Sequence, residues 1–307
     1  MKNLPPKHLS AEQVNFYEKE GYLVLPDLLP KSHITELGKI VDELERGAAT
    51  LDRNDDFYDL EPSHSLDNPR VRRLKKPTKQ HNAFYDLARS TKILDVIEDL
   101  IGSGIRLTHL DGKVNIKAAE YGSPVEWHQD IAGYPHTNDD LLSATIPLDD
   151  CELENGPLLV IPGSHKGPLY NHHNDQGVYC SSIDPSKNAL DYDKAVPLTG
   201  KAGMVTIHHT RIIHGSALNR SHRPRRLLIY QYSANDAWPL MGVQSLDALR
   251  STIVRGDIVL EPRMCAVPVR IPLPVAPDYD GLYTSQGHTK NRYFETYEAA
   301  KKTESAR

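Results

Sequence analysis

The sequence predicts a mainly β fold, a sandwich or barrel, with α-helices flanking it at the N-terminal end. Two observations carry that prediction. Apolar residues recur with a helical period through roughly the first hundred positions, and from about residue 104 the pattern turns into short β-rich runs. Gly, Pro, Asn and Asp separate those runs, which is how all-β cores are punctuated. At 307 residues the chain has room for one large domain or two ordinary ones. One domain is expected, with a helical brace over about 9–103, a β core over about 104–275 and an extension over about 276–307.

In "LSAEQVNFYEKEG", Ser10 and Gln13 have capping-box spacing and Gly21 stands where a helix would stop. "YLVLPDLL" (22–29) reads as a strand. "SHITELGKIVDELERG" (32–47) places Ile34, Leu37, Ile40, Val41 and Leu44 on one helical face. A charged stretch, 52–70, precedes a further helix pair marked by Phe84 and Leu87, then Leu94, Ile97 and Ile101. The expected strands are "IRLTHL", "KVNIKAA", "EWHQDI", "SATIPL", "GPLLVIP", "AVPLTG", "GMVTIHH", "RRLLIYQYS" and "AVPVRIPLP". Long polar connections over such a core are where specificity resides, here 47–82, 131–142 and 165–195. "YFETYEAAKK" reads as a surface helix or an oligomer arm.

A formal net charge of -5 leaves no basic footprint for a nucleic acid. Nowhere do eighteen apolar residues run together, so no membrane span is expected, and the opening "MKNLPPKHLSAEQ" lacks the apolar segment of a secretory signal. Cys151, Cys180 and Cys265 are widely spaced and odd in number, which reads as reduced thiols of a cytoplasmic protein. The oligomeric state is not legible.

The chemistry starts at "VEWHQDI". Residues i and i+2 of a strand share a face, so His128 and Asp130 project together while Gln129 faces away. One imidazole and one carboxylate are two thirds of the facial triad that suits non-haem Fe(II) and O₂. Alone the pair is weak, because 15 histidines make coincidence cheap. His208, His209 and His214 are candidates for the third ligand, against the plainer reading that they satisfy backbone groups at a strand end. His214 is preferred because it opens "HGSALNRSHRPRR", which also supplies a cation for a dicarboxylate such as 2-oxoglutarate. Arg225 lies eleven residues on, and its planar fork can meet a carboxylate with two hydrogen bonds. Arg226 should face the other side of the same strand.

"HQD", "ENGPLLVIPGSHKG" (154–167) and "HGSALNRSHRPRR", in that order, resemble the phytanoyl-CoA dioxygenase-like superfamily of Fe(II)/2-oxoglutarate oxygenases. "LSAEQVNFYEKEGYLVLPDLLP" is similar to that family's usual opening, and the likeness covers roughly 9–235. The resemblance implies a double-stranded β-helix (jelly-roll, cupin-like) core and a dioxygenase using Fe(II), 2-oxoglutarate and O₂, with ascorbate as an in-vitro reductant. It implies hydroxylation of an unactivated C–H bond of a small molecule, with release of succinate and CO₂. His128, Asp130 and His214 match the metal ligands, Arg225 the 2-oxoglutarate-binding arginine, and Ser216 a hydroxyl that assists it. "VNIKAAEYGSPVEWHQD" is similar to ectoine hydroxylases and adds Asn115 and, after the next loop, Ser143 near 2-oxoglutarate. "IAGYPHTNDDLLSA" departs from the ectoine hydroxylase pattern, so ectoine is disfavoured. It is closer in layout to phytanoyl-CoA hydroxylases, though nothing recognisably binds coenzyme A.

Gln129, His136 and Trp238 are possible substrate neighbours. The remaining conspicuous residues have plainer readings: Trp127 as packing, His165 as a hydrogen-bonded structural group, His172 and His173 as solvated loop residues, with a lid role as the alternative, and Gly156 and Gly163 as turn residues with unusual backbone angles. Two rival functions share the pattern. A metal-dependent cupin enzyme without 2-oxoglutarate would not need Arg225, and an inactive sensor would bind without turnover.

Overall fold

The computed structural model describes residues 6–109 and 111–305. The capping box forms. Ser10 Oγ accepts from the Gln13 N–H and Gln13 Oε1 from the Ser10 N–H, opening α1 (Ala11–Glu20). Gly21 closes it at φ 79°, a left-handed stop that a side chain would resist. β1 (Tyr22–Leu25) follows, then α2 (Lys31–Arg46), which buries Ile34, Leu37 and Val41. The helix pair is α3 (Asn82–Ala88) and α4 (Thr91–Ile101).

The stretch between α2 and α3 holds two strands that the sequence pattern hides, β2 (Tyr58–Leu60) and β3 (Val71–Lys75). Three of the five residues of "VRRLK" are cationic, so hydropathy does not mark it as a strand. Burial is made possible by ion pairs, with Asp59 meeting both Arg73 and Lys75. The core then runs β4 (Ile105–Leu107), β5 (Lys113–Lys117), β6 (Val125–His128), β7 (Leu141–Pro147), β8 (Leu159–Val160), β9 (Val196–Pro197), β10 (Val205–His209), β11 (His214–Ser216), β12 (Arg225–Ala234) and β13 (Ile253–Arg255). Leu110, last residue of the expected run "IRLTHL", lies outside the described residues. The expected strand "AVPVRIPLP" does not form: Pro268, Pro272 and Pro274 remove the donors a ladder needs, and only an isolated bridge joins Val275 to Tyr179. α5 (Leu246–Ser251), α6 (Leu282–Gly287) and α7 (Tyr297–Ser305) complete the chain. The expected C-terminal surface helix is α7.

Two sheets face each other, as in a jelly roll. The larger runs β1-β10-β7-β12-β5-β3-β2, with β4 also paired to β12 and β13 to β4, and all its pairings are antiparallel. The smaller runs β6-β11-β8-β9. Alternation divides the large sheet cleanly. Val114, Ile116, Leu142, Ala144, Ile146, Ile207, Leu228, Tyr230 and Tyr232 join the helices in one apolar core. Tyr230 and Tyr232 pin β12 there by donating their hydroxyls to the Phe84 and Ala88 carbonyls at 2.5 and 2.8 Å. The intervening positions Lys113, Asn115, Ser143, Thr145, His208, Arg225 and Gln231 face the smaller sheet and line a cavity with it. That polar face holds the chemistry.

Candidate metal and co-substrate site

His128 ends β6 and His214 opens β11, and the two are direct cross-strand partners with ring centroids 4.0 Å apart. Each ring is oriented by its own strand: Nδ1 lies 2.8 Å from the Glu126 carbonyl in His128 and 3.0 Å from the Ile212 carbonyl in His214. With Nδ1–H donated to a carbonyl, Nε2 keeps its lone pair for a metal. Asp130 begins a short 3-10 turn just after β6, rather than continuing the strand, but Gln129 is still extended and keeps both residues on one face. Asp130 Oδ1 is 3.7 Å from His128 Nε2 and 3.8 Å from His214 Nε2. The three donor atoms lie within 4.8 Å of one another, close enough to share one ion.

The carboxylate is itself held. Ser143 Oγ donates to Asp130 Oδ2 at 2.9 Å and Gln231 Nε2 at 3.2 Å. Burial alone would raise the Asp130 pKa, but His208, His214 and Lys113 outweigh it and hold the carboxyl well below its usual range. Burial pushes His128 down and His214 well down, the latter reinforced by His128 and His208, which favours the neutral imidazole that a metal needs.

Arg225, at the start of β12, is almost fully buried. Its Nη2 donates to the Gly156 carbonyl at 2.9 Å, while Nε and Nη1 have no partner. Asn115 Oδ1 is also without a partner. Gly156 takes φ +70°, and a Cβ there would stand 2.5 Å from the Ala217 carbonyl, so only glycine brings this turn so close. Ser216, Asn115, Ser143 and Arg225 line one narrow cavity of about 50 Å³ with the three metal-ligand candidates. Leu282 and Tyr283 of α6 close it, a contribution from the C-terminal extension that sequence reasoning missed. Arg226 points the other way and pairs with Asp149 and Asp42, as alternation requires.

A second, open cleft of about 500 Å³ runs outward from His128 and Asp130. Gln129 borders it, but its amide binds the long loop: Nε2 donates to the Pro168 and Arg211 carbonyls at 3.0 and 2.9 Å, and Oε1 accepts from the Tyr170 N–H at 2.9 Å. His172 Nε2 accepts the Gln129 N–H at 2.9 Å. His172 and His173 are therefore buried, contrary to the expectation that they are solvated, and burial pushes His172 down to about 3. His136 and Trp238 also depart from expectation and border neither cavity. His136 is buried against the Tyr134 carbonyl, and the Trp238 indole donates to the Val259 carbonyl at 2.8 Å. Trp127 stacks on Phe294 and His165 Nε2 meets the Glu18 carbonyl, both structural as expected. Gly156 and Gly163 are both left-handed.

Sequence reasoning passed over Lys113, Gln231 and Tyr134, and set His208 aside. A signal existed for the first: "KVNIK" alternates Lys113, Asn115 and Lys117 with Val114 and Ile116, polar toward the site and apolar toward the helices.

The family model for phytanoyl-CoA dioxygenase (PhyH) matches residues 17–227, a span that takes in His128, Asp130, His214 and Arg225. The chain belongs to this family. A probable alpha-ketoglutarate-dependent hypophosphite dioxygenase of Stutzerimonas stutzeri is 36% identical over 287 residues, 92% of this chain and 99% of that protein. The ectoine dioxygenase of Halomonas elongata is 29% identical over 74% of this chain and 71% of its own length. Among solved structures, EctD from S. alaskensis with 2-oxoglutarate and 5-hydroxyectoine superposes with a TM-score of 0.64 at 25% identity, covering 88% of this chain and 90% of that one. As a PhyH-family protein the chain is an oxidoreductase, a 2-oxoglutarate-dependent dioxygenase with iron and 2-oxoglutarate as its cofactors. No helix among the described residues is long and apolar enough to cross a membrane.

Proposed function

We propose that this dioxygenase binds Fe(II) through His128 Nε2, Asp130 and His214 Nε2, and takes 2-oxoglutarate in the narrow cavity with its distal carboxylate on Arg225. The observation that carries the assignment is the arrangement at both ends of that cavity. Three donor atoms converge within 4.8 Å at one end, and a buried guanidinium with two unpartnered nitrogens stands at the other. A buried cation without a counter-ion is costly, and a dicarboxylate would satisfy it. Ser216 and Asn115 line the space between and can complete the co-substrate's hydrogen bonds. Ser143 and Gln231 hold Asp130 in its ligating orientation. Bound iron would supply the O₂ chemistry that oxidises substrate while 2-oxoglutarate goes to succinate and CO₂. The protein orients both partners, and Leu282 and Tyr283 exclude water from the co-substrate.

The substrate in this reading is a small molecule oxidised at a C–H bond. A second reading, oxidation of hypophosphite at its P–H bond, is supported by 36% identity to the hypophosphite enzyme over 99% of that protein's length. One domain in the cytoplasm fits the continuous large sheet and the free thiols of Cys151, Cys180 and Cys265. The test is Fe(II)-dependent release of succinate from 2-oxoglutarate under air with ascorbate. Turnover that Arg225→Ala abolishes supports the reading. Iron-dependent oxidation that ignores 2-oxoglutarate, or tight 2-oxoglutarate binding with no turnover, would overturn it in favour of the cupin or sensor alternatives.

A further inference from the structure

The co-substrate cavity accounts for Arg225 and Asn115 but leaves two nitrogen-bearing side chains beside the metal position unexplained. His208 on β10 is buried, sits beside Ser143 of β7, and neither of its ring nitrogens makes a hydrogen bond. Its Nε2 is 3.6 Å from Asp130 Oδ2, just past hydrogen-bond length, and its ring centroid is 4.6 Å from that of His214. A buried imidazole that meets its nearest carboxylate only at 3.6 Å and completes no hydrogen bond among the described residues has donor capacity left for a ligand. Lys113 lies on the same face of the sheet but beyond β7 and β12, on β5 opposite Ile229 of β12. It borders both the narrow cavity and the open cleft, it forms no salt bridge among the described residues, and the charges acting on it are those of Asp130 and Arg73.

The open cleft beyond is basic and short of aliphatic wall. Arg73, Lys75, Lys76 and Lys113 border it against Asp111 and Asp130, and among the described residues its apolar wall is Ile229, Leu282 and the rings of Tyr134, Tyr179 and Tyr279. Arg73 and Lys75 are partly neutralised by Asp59 and Asp280, and Asp130 is assigned to the metal. Lys113 is therefore the cation nearest the metal position whose charge is left for a ligand. A compact anion beside the metal position, where this cleft meets the inner cavity that His208 lines, would find Lys113 on one side and His208 on the other.

We propose that Lys113 and His208 are the substrate-recognition pair, gripping an anionic oxygen of a small substrate, a carboxylate or a phosphorus oxyanion, so that the bond to be oxidised faces the iron position. This rests on the functional reading above. It adds a substrate class and two specificity residues that the metal and co-substrate assignment does not require.

The test measures succinate formation by the Fe(II)-loaded full chain with 2-oxoglutarate, titrated separately with hypophosphite, methylphosphonate, acetate and uncharged acetamide. At least one of the three anions should change the rate saturably, by stimulation or inhibition, and acetamide should not. Lys113→Met and His208→Phe should each raise the half-saturating concentration of that anion at least tenfold more than they raise the KM for 2-oxoglutarate. Lys113→Arg and His208→Gln keep an N–H donor and should recover part of the loss, which separates recognition from damage to the fold. Response to hypophosphite alone points to a phosphorus substrate, and response to acetate points to a carboxylate. The proposal is overturned if acetamide acts as strongly as the anions, if no anion changes the rate, or if Lys113→Met raises the KM for 2-oxoglutarate as much as the anion's half-saturation. Absence of any iron-dependent 2-oxoglutarate turnover would overturn the functional reading as well, so the two failures are distinguishable.

Discussion

At the metal end of the cavity each donor is already held by the protein, with His128 and His214 on backbone carbonyls and Asp130 on Ser143 and Gln231. At the Arg225 end of the cavity and on β10 beside Asp130, polar groups have no hydrogen-bond partner among the described residues: Arg225 Nε and Nη1, Asn115 Oδ1, and both nitrogens of His208. The contrast follows from what each end must bind. An ion gives no orientation of its own, so its ligands have to be pre-organised by neighbours. A molecular ligand brings its own acceptors and donors, and groups meant for it must be left unsatisfied until it arrives. Each buried group left open costs about 1–3 kcal/mol of stability in the free protein, so the open end is where function was favoured over folding.

Four experiments put this contrast at risk. The largest effect belongs to the held end: Asp130→Ala or His214→Ala should bring iron binding and succinate formation to background, because two remaining ligands leave the ion mostly hydrated. Normal coupled turnover in either variant would sink the metal assignment. At the open end, Arg225→Ala should raise the KM for 2-oxoglutarate about 100-fold or more, from the loss of charge-assisted hydrogen bonds. Arg225→Met should meanwhile leave the melting temperature of the ligand-free protein unchanged or raised, since it removes a buried charge that leaves two nitrogens without hydrogen-bond partners among the described residues. A KM within threefold of wild type would show that the cation is not the co-substrate's partner.

Ser143 distinguishes the two ends. The sequence places it near 2-oxoglutarate, yet its hydroxyl donates to Asp130. Ser143→Ala should therefore weaken iron binding about 10-fold, read by titrating activity with Fe(II), with a smaller change in the KM for 2-oxoglutarate. The opposite split would return Ser143 to the co-substrate. The smallest effect lies outside the site. Burial pushes His136 down to about 3 from 6.5. Between those values the unfolded chain holds the extra proton, so stability is fully present above about pH 6.5 and falls as the pH drops through the window. His136→Gln should flatten the decline of melting temperature between pH 6.5 and pH 4, and an unchanged slope would remove His136 as its source.

The sequence by itself determined the helical brace, because capping chemistry at Ser10 and Gln13 and the apolar face of α2 are local signals. It also pointed to His128, Asp130, His214 and Arg225, which the fold brings to one cavity, since i, i+2 alternation and motif order survive without knowledge of the fold. The two hidden strands β2 and β3 were decided by tertiary structure, because the cations of β3 are buried only against carboxylates that lie apart in sequence, Asp59 on its partner strand β2 and Asp280 in the C-terminal extension. The same is true of Tyr283, which reaches the cavity from the C-terminal extension, and of His172, which leaves solvent only because Gln129 ties its loop to the metal strand. His208 marks the boundary between the two kinds of knowledge. Its residue type was visible beside His209 and His214, but whether its nitrogens were satisfied depended on which strands lay next to β10. Local pattern states which face a side chain takes, and only the packed sheets state what that face meets.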